Sequence, residues 1–220
     1  MKKRPAWVVA SCLIVGMLLL SSCAPELTED EGKAREHCER GFALVEGEDY
    51  EEAISELNKA IELDPNYAEA YRHRAKAYSR KGEDDKALAD YSRAIELNPE
   101  YVEAYYGRGA VYNIKGEYDR GISDCSKAIE LDPGCKEAYN NRGNAYYYKG
   151  ELDKAIADYD KAIELDPSCK EAYYNRGIAY RLQGKKAEAI ADFEGFIALA
   201  DNPQAIEMAK QQIAELKGQD

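Results

Sequence analysis

Large apolar aromatics are scarce in this chain. Its 220 residues include three Phe and one Trp, against 18 Tyr. One compact core built mainly on Tyr would leave many hydroxyls in need of partners. Tyr spaced regularly along packed helices keeps its hydroxyl near the surface, so the composition favours a repeated architecture. Histidine is limited to His37 and His73. No Ser or Cys nucleophile is placed beside either, and adjacent His37 and Cys38 are badly spaced to ligate one metal from a helix. A phosphate-cradling glycine loop is missing, because the glycines recur at a fixed spacing instead. No enzyme activity, metal, cofactor or small-molecule substrate is therefore expected. A basic excess is missing too: the net charge is −12, which argues against nucleic acid as a partner.

Long uncharged runs are limited to one. After Lys2, Lys3 and Arg4, the stretch Ala6–Leu20 carries no charge. At about 1.5 Å per residue it gives roughly 22 Å of helix, against a hydrocarbon core of about 30 Å. That is short for a membrane span and suits the apolar region of a signal peptide. Leu20, Ser21, Ser22 and Cys23 then resemble the bacterial lipoprotein box: an aliphatic residue, two small residues and the Cys that becomes the new N-terminus. The resemblance implies removal of residues 1–22 and lipidation of Cys23 by a diacylglycerol and a third acyl chain. Several chains hold a membrane far better than one. Loss of the three cations would take the net charge from −12 to −15. The product would be an exported bacterial lipoprotein on the extracytoplasmic side of a cell-envelope membrane. An uncleaved short anchor, or a signal without lipid, is the alternative.

The body repeats with a period of 34 residues and no insertion. Four copies run Asp64–Leu97, Asn98–Leu131, Asp132–Leu165 and Asp166–Leu199. A weaker copy, Asp30–Leu63, keeps Gly41, Ala53, Ala60 and the "KAIEL" ending. Self-similarity at this period marks a stacked repeat architecture. Each copy reads as two helices. In the fourth, Tyr139, Gly143 and Tyr146 recur at helical spacing, "KGE" breaks the chain, and Ala155, Tyr159 and Ala162 make a second stripe before Asp166-Pro167. Gly143 and Ala155 let the two helices approach, and the aromatics fill the gaps beside them.

This pattern resembles the tetratricopeptide repeat. The resemblance implies an all-α fold: a right-handed solenoid of about five helix pairs over residues 30–203, with the first helix of each pair lining a concave face. Residues 23–29 would tether it to lipid, and residues 204–217 would form a capping helix. Thr28–Glu31, "TEDE", has the capping-box pattern that starts a helix. Ile206, Ala209, Ile213 and Leu216 make one apolar stripe after Asn202-Pro203, as a cap over the last repeat requires.

One column departs from the usual pattern. Arg40, Arg74, Arg108, Arg142 and Arg176 stand where an aliphatic residue is common. Sixteen residues later come Glu56, Asp90, Asp124, Asp158 and Asp192. Five Arg–carboxylate pairs are expected, within each repeat or between neighbours, with a structural role.

Tetratricopeptide proteins generally bind peptides or helices along the concave face. Carried onto this sequence, the binding residues are Arg72, His73 and Lys76 in the second copy, Tyr106 and Asn113 in the third, Asn140, Asn141, Asn144 and Tyr147 in the fourth, and Tyr174, Asn175 and Arg181 in the fifth. Asn can pair with both donor and acceptor of an extended backbone, and Tyr gives contact area at low entropic cost. The expected partner is a protein segment, held at a membrane through the lipid; a scaffold without lipid, secreted or cytosolic, is the alternative. In the third copy Gly121 replaces the recurring Ala, at roughly 1 kcal/mol inside a helix, and Cys125 replaces Tyr. With Gly107 and Ala110 nearby, a dent is expected in mid-groove. Cys38, Cys125, Cys135 and Cys169 should be free thiols, because equivalent points on neighbouring repeats lie about 10 Å apart and a disulfide needs about 7 Å. Pairing between molecules through Cys135 or Cys169 stays open.

Overall fold

The computed structural model describes residues 28–218, so the apolar run, the lipoprotein box and Cys23 lie outside the described residues. Helices pair in sequence: α1 (Glu29–Glu46) with α2 (Tyr50–Leu63), α3 (Ala68–Arg80) with α4 (Asp84–Leu97), and α5 (Val102–Ile114) with α6 (Tyr118–Leu131). Two further pairs follow, α7 (Lys136–Tyr148) with α8 (Leu152–Leu165) and α9 (Lys170–Leu182) with α10 (Lys186–Leu199), and then α11 (Pro203–Lys217). Each helix packs on its neighbours in the chain, and the first helices of successive pairs also touch one another. The result is a right-handed solenoid whose concave wall is made by α1, α3, α5, α7 and α9. No strand occurs among the described residues.

Local chemistry sets the boundaries. Thr28 Oγ1 accepts from the Glu31 amide at 3.2 Å, and the Glu31 carboxylate accepts from the Thr28 amide at 2.8 Å. This reciprocal cap starts α1. The turn inside each later pair needs a left-handed residue, supplied by Gly82, Gly116 and Gly150 at φ +76° and Gly184 at +74°. In the first pair that place is held by Glu48 at φ +66°, where a Cβ costs about 1–2 kcal/mol. The second helices of the first four pairs stop at Asp64-Pro65, Asn98-Pro99, Asp132-Pro133 and Asp166-Pro167. There the side-chain oxygen accepts from the amide two residues on, at 2.8–3.1 Å, and the proline cannot continue the helix.

Small residues bring the paired helices together. A Cβ added at Gly143 would lie 2.7 Å from the Tyr159 ring, and one at Gly177 would lie 3.0 Å from the Phe193 ring. Helix α11 begins at Asn202, whose side chain accepts from the Gln204 and Ala205 amides. It buries Ala209 and Leu216 against the layer of Phe193 and Phe196, with Ile213 half-buried. Among the described residues no helix is long and apolar enough to cross a membrane.

The expected dent in the third repeat is filled by the chain itself. The Tyr91 ring lies over Gly107, where a Cβ would sit 2.6 Å from it, and the Asn113 amide occupies the space beside Gly121. Missing side-chain volume at the glycines is thus taken up by neighbours from adjoining helices. All four described cysteines are free and buried. Burial pushes the thiols of Cys38 and Cys135 up to about 11, and Cys135 and Cys169 keep 7% and 8% of their surface.

Candidate functional site: an arginine ladder behind a concave groove

Four arginines tie the solenoid together. Arg74, Arg108, Arg142 and Arg176 each grip an aspartate through two guanidinium nitrogens: Asp90, Asp124, Asp158 and Asp192, at 2.6–2.9 Å. These aspartates are buried. The third nitrogen reaches back to the previous repeat, donating to Asn58 Oδ1 (2.7 Å), Ser92 Oγ (3.0 Å), Ser126 Oγ (3.1 Å) and Asp160 Oδ1 (2.5 Å). A tyrosine ring from the same helix faces each guanidinium, as Tyr139 does Arg142 at 5.6 Å. Of the two geometries expected for the Arg–carboxylate pairs, the one within the repeat occurs, and the bond to the neighbouring repeat goes to residues outside the expected pairs. The Asp158 bond holds Arg142 above its ordinary pKa against the opposing pull of burial.

The fifth expected pair is different. Arg40 Nε lies 3.5 Å from Glu56, and its side chain is 52% exposed. Glu56 is taken by Lys59 at 2.5 Å and by His37 Nδ1 at 2.7 Å. Those two bonds, Lys59 first, hold its carboxyl down at about 2. No described repeat precedes α1 to receive the third nitrogen; Arg40 shares Glu56 and lies 3.4 Å from Glu36 on its own helix.

In front of this ladder, the C-terminal half of the groove carries two adjoining cavities of about 340 and 330 Å³ that share Asn144, Tyr174 and Asn175. The first is completed by Asn140, Glu171, Phe196, Ala205 and Met208. The second is completed by Tyr147, Tyr148, Tyr159, Ile178 and Arg181. The amides are pre-set by one another: Asn175 Nδ2 donates to Asn144 Oδ1 at 2.9 Å and to Asn140 Oδ1 at 3.3 Å, and the Tyr159 hydroxyl donates to Asn144 Oδ1 at 2.8 Å. Asn140, Asn144, Tyr147, Tyr174, Asn175 and Arg181 are thus brought together. Arg181 also reaches Glu215 of α11 at 3.6 Å.

The remaining expected residues are spent on internal contacts. Asn113 donates to the Asn141 carbonyl at 2.8 Å, and Asn141 donates to the Tyr106 carbonyl at 3.4 Å. These three brace α5 against α7. Arg72 donates to the Tyr101 hydroxyl at 2.7 Å, and Lys76 to Glu46 at 2.6 Å. His73 departs from its expected place on the open wall: it is 3% exposed, with the Phe42 ring 4.7 Å away. Its position is occupied by Gly107, Asn141 and Asn175 in later repeats, and here the ring is covered by Phe42 from the preceding repeat. Sequence reading missed Met208, which is 56% exposed. Helix α11 was expected only to cap the last repeat, but Ala205 and Met208 also extend the groove wall. A Met two residues from Ile206 and one from Ala209, beside the stripe that ends in Ile213 and Leu216, was the available signal.

Profile comparison agrees with this geometry. Residues 41–82, 77–113 and 143–184 match a family described as TPR repeat, and residues 102–135 and 170–203 match two described as tetratricopeptide repeat. No curated protein matches the chain. Among solved structures, MamA is 26% identical over 83% of this chain and 94% of its own, with a TM-score of 0.61. YrrB, a TPR protein with an unusual peptide-binding site, is 24% identical over 81% of this chain and 92% of its own, with a TM-score of 0.59. PilF of Pseudomonas aeruginosa is 15% identical over 87% of this chain and 92% of its own, with a TM-score of 0.73. The last two likenesses are of fold.

Proposed function

We propose that this chain, which belongs to the tetratricopeptide repeat family, is a scaffold that holds an extended segment of another protein against α7, α9 and α11. The observation that carries this reading is the linked amide set Asn140, Asn144 and Asn175, flanked by Tyr147, Tyr174 and Met208. The amides offer donors and acceptors to a main chain, while the aromatic and Met surfaces accept its side chains. Their mutual bonds pre-organise them, which lowers the ordering cost of binding. YrrB supplies a precedent for a peptide site on this fold.

The scaffold works, in this proposal, at a membrane surface through lipid on Cys23. Support comes from the basic head, the uncharged run and Leu20-Ser21-Ser22-Cys23 in the sequence. Mass spectrometry of the N-terminus from bacterial membranes should find acylated Cys23; an intact Met1, or an unmodified start elsewhere, overturns the anchor. For the groove, a photo-crosslinker at Met208 should trap a partner in membranes. Asn140→Ala with Asn175→Ala should abolish that adduct, and an unchanged adduct would remove the groove from the function.

A further inference from the structure

The other end of the concave wall is built for a different guest. A cavity of about 460 Å³ lies between α1, the turn from α2 to α3, and α3. Phe42, Tyr67 and Cys38 give it apolar surface; Glu31, Glu39, Asp64 and Glu69 bring four carboxylates against the one cation of Arg35. Glu31 is engaged by the α1 cap, Glu39 accepts from Arg35 at 2.9 Å, and Glu69 accepts from the Tyr67 hydroxyl at 3.3 Å. Charge on these residues therefore exceeds what the cavity neutralises for itself. Phe42 is 43% exposed, an open ring face beside the acids.

His73 lines the same cavity. Arg72 approaches its Nε2 at 2.6 Å, well inside the Glu69 carboxylate at 3.5 Å. A guanidinium only donates, so Nε2 must accept. Burial, then the charges of Arg72 and Lys76, hold the ring neutral, with its pKa down at about 3. The ring proton therefore sits on Nδ1, which is buried and has no hydrogen-bond partner. A buried N–H without an acceptor costs free energy until an acceptor arrives. The Phe42 ring lies tilted against this ring, at 51° and 4.7 Å between centroids, and is the cover that borders solvent.

We propose that this end of the groove takes a lysine- or arginine-bearing stretch of the bound segment: a main-chain carbonyl accepts from His73 Nδ1 as Phe42 turns aside, and the cationic side chain lies over Phe42 and Tyr67 among Glu39, Asp64 and Glu69. The proposal rests on the concave-face reading and adds polarity to it. Cations are favoured over aromatic faces and between carboxylates. At the far end the wall offers amides, aromatics and Met208 beside a single carboxylate, Glu171. A segment with a basic end is thereby aligned with that end at α1.

Calorimetry on the full chain, with peptides of equal length that are lysine-rich, glutamate-rich or uncharged, tests this. The lysine-rich peptide should bind at least about tenfold more tightly than the other two. Glu39→Gln with Glu69→Gln should weaken it about tenfold. Glu130→Gln with Glu164→Gln, which removes the same charge from exposed sites on α6 and α8, should change it less than about twofold. The Nδ1–H resonance of His73 should shift on binding. Absent or charge-independent binding, equal losses in both double variants, or an unmoved His73 signal would each overturn the proposal. The Met208 crosslink is read separately: if it forms normally while the lysine-rich peptide fails, the basic end is refuted and the groove stands. Loss of both refutes both.

Discussion

The first repeat and the four that follow share a pattern but not a way of holding together. In the later repeats one arginine closes three bonds and carries its helix pair onto the previous pair. In the first, Arg40 lies half in solvent, and Glu56 answers to three cationic or imidazole partners at once. The turn differs likewise, with Glu48 where the others place a left-handed glycine. A residue conserved in type through a stack can therefore differ in worth, because part of its worth is supplied by the neighbour behind it.

Breaking the ladder should give the largest contrast. Arg142→Ala strands the buried Asp158 and should cost about 3–5 kcal/mol, whereas Arg40→Ala should cost less than about 1 kcal/mol. Urea unfolding read by hydrogen exchange helix by helix checks this, since a stack of repeats can open locally. Equal losses would erase the distinction. Packing gives the next contrast. Gly143→Ala drives a methyl into the Tyr159 ring and should cost about 1–3 kcal/mol. Gly32→Ala, with nothing within 4 Å, should stabilise α1 by up to about 1 kcal/mol.

The turn supplies a gain of similar size. Glu48→Gly should raise the stability of the first pair by about 1 kcal/mol, seen as slower exchange in α1 and α2. Near neutrality the smallest effect belongs to His73. Its folded pKa, about 3, lies below the ordinary 6.5. As pH falls below 6.5 the unfolded chain takes up the proton first, so stability declines from there until the folded ring also protonates near 3. Exchange in α1 and α3 should quicken over that window, and His73→Phe should flatten the dependence.

Much of the frame was legible because it is written repeatedly. The period placed the helix pairs, Thr28 and Glu31 marked the start of α1, and the spacing of Arg142 and Asp158 anticipated their bond. Asn58, Ser92, Ser126 and Asp160 stayed hidden, since an amide, two hydroxyls and a carboxylate serve as the same acceptor and no single letter runs through all four repeats. Burial of His73 was hidden too: it depends on Phe42, which comes from the preceding repeat and shares no pattern with it. The filling of the third repeat depends on Tyr91 and Asn113 reaching across helices, and glycine alone reports only where side-chain volume is missing.

The arginine ladder also has a mechanical meaning. Each guanidinium works as a rivet between two plates, and a pull on the N-terminus would load the joints in series. The joint between α1 and α2 has the poorest rivet, with the Arg40 guanidinium nitrogen 3.5 Å from a carboxylate it shares. Under tension α1 should therefore peel away first, at low force, while α3 to α10 keep their spacing. A tug on the leading end would be spent in that first helix and would leave the amide-lined half of the groove at its working shape.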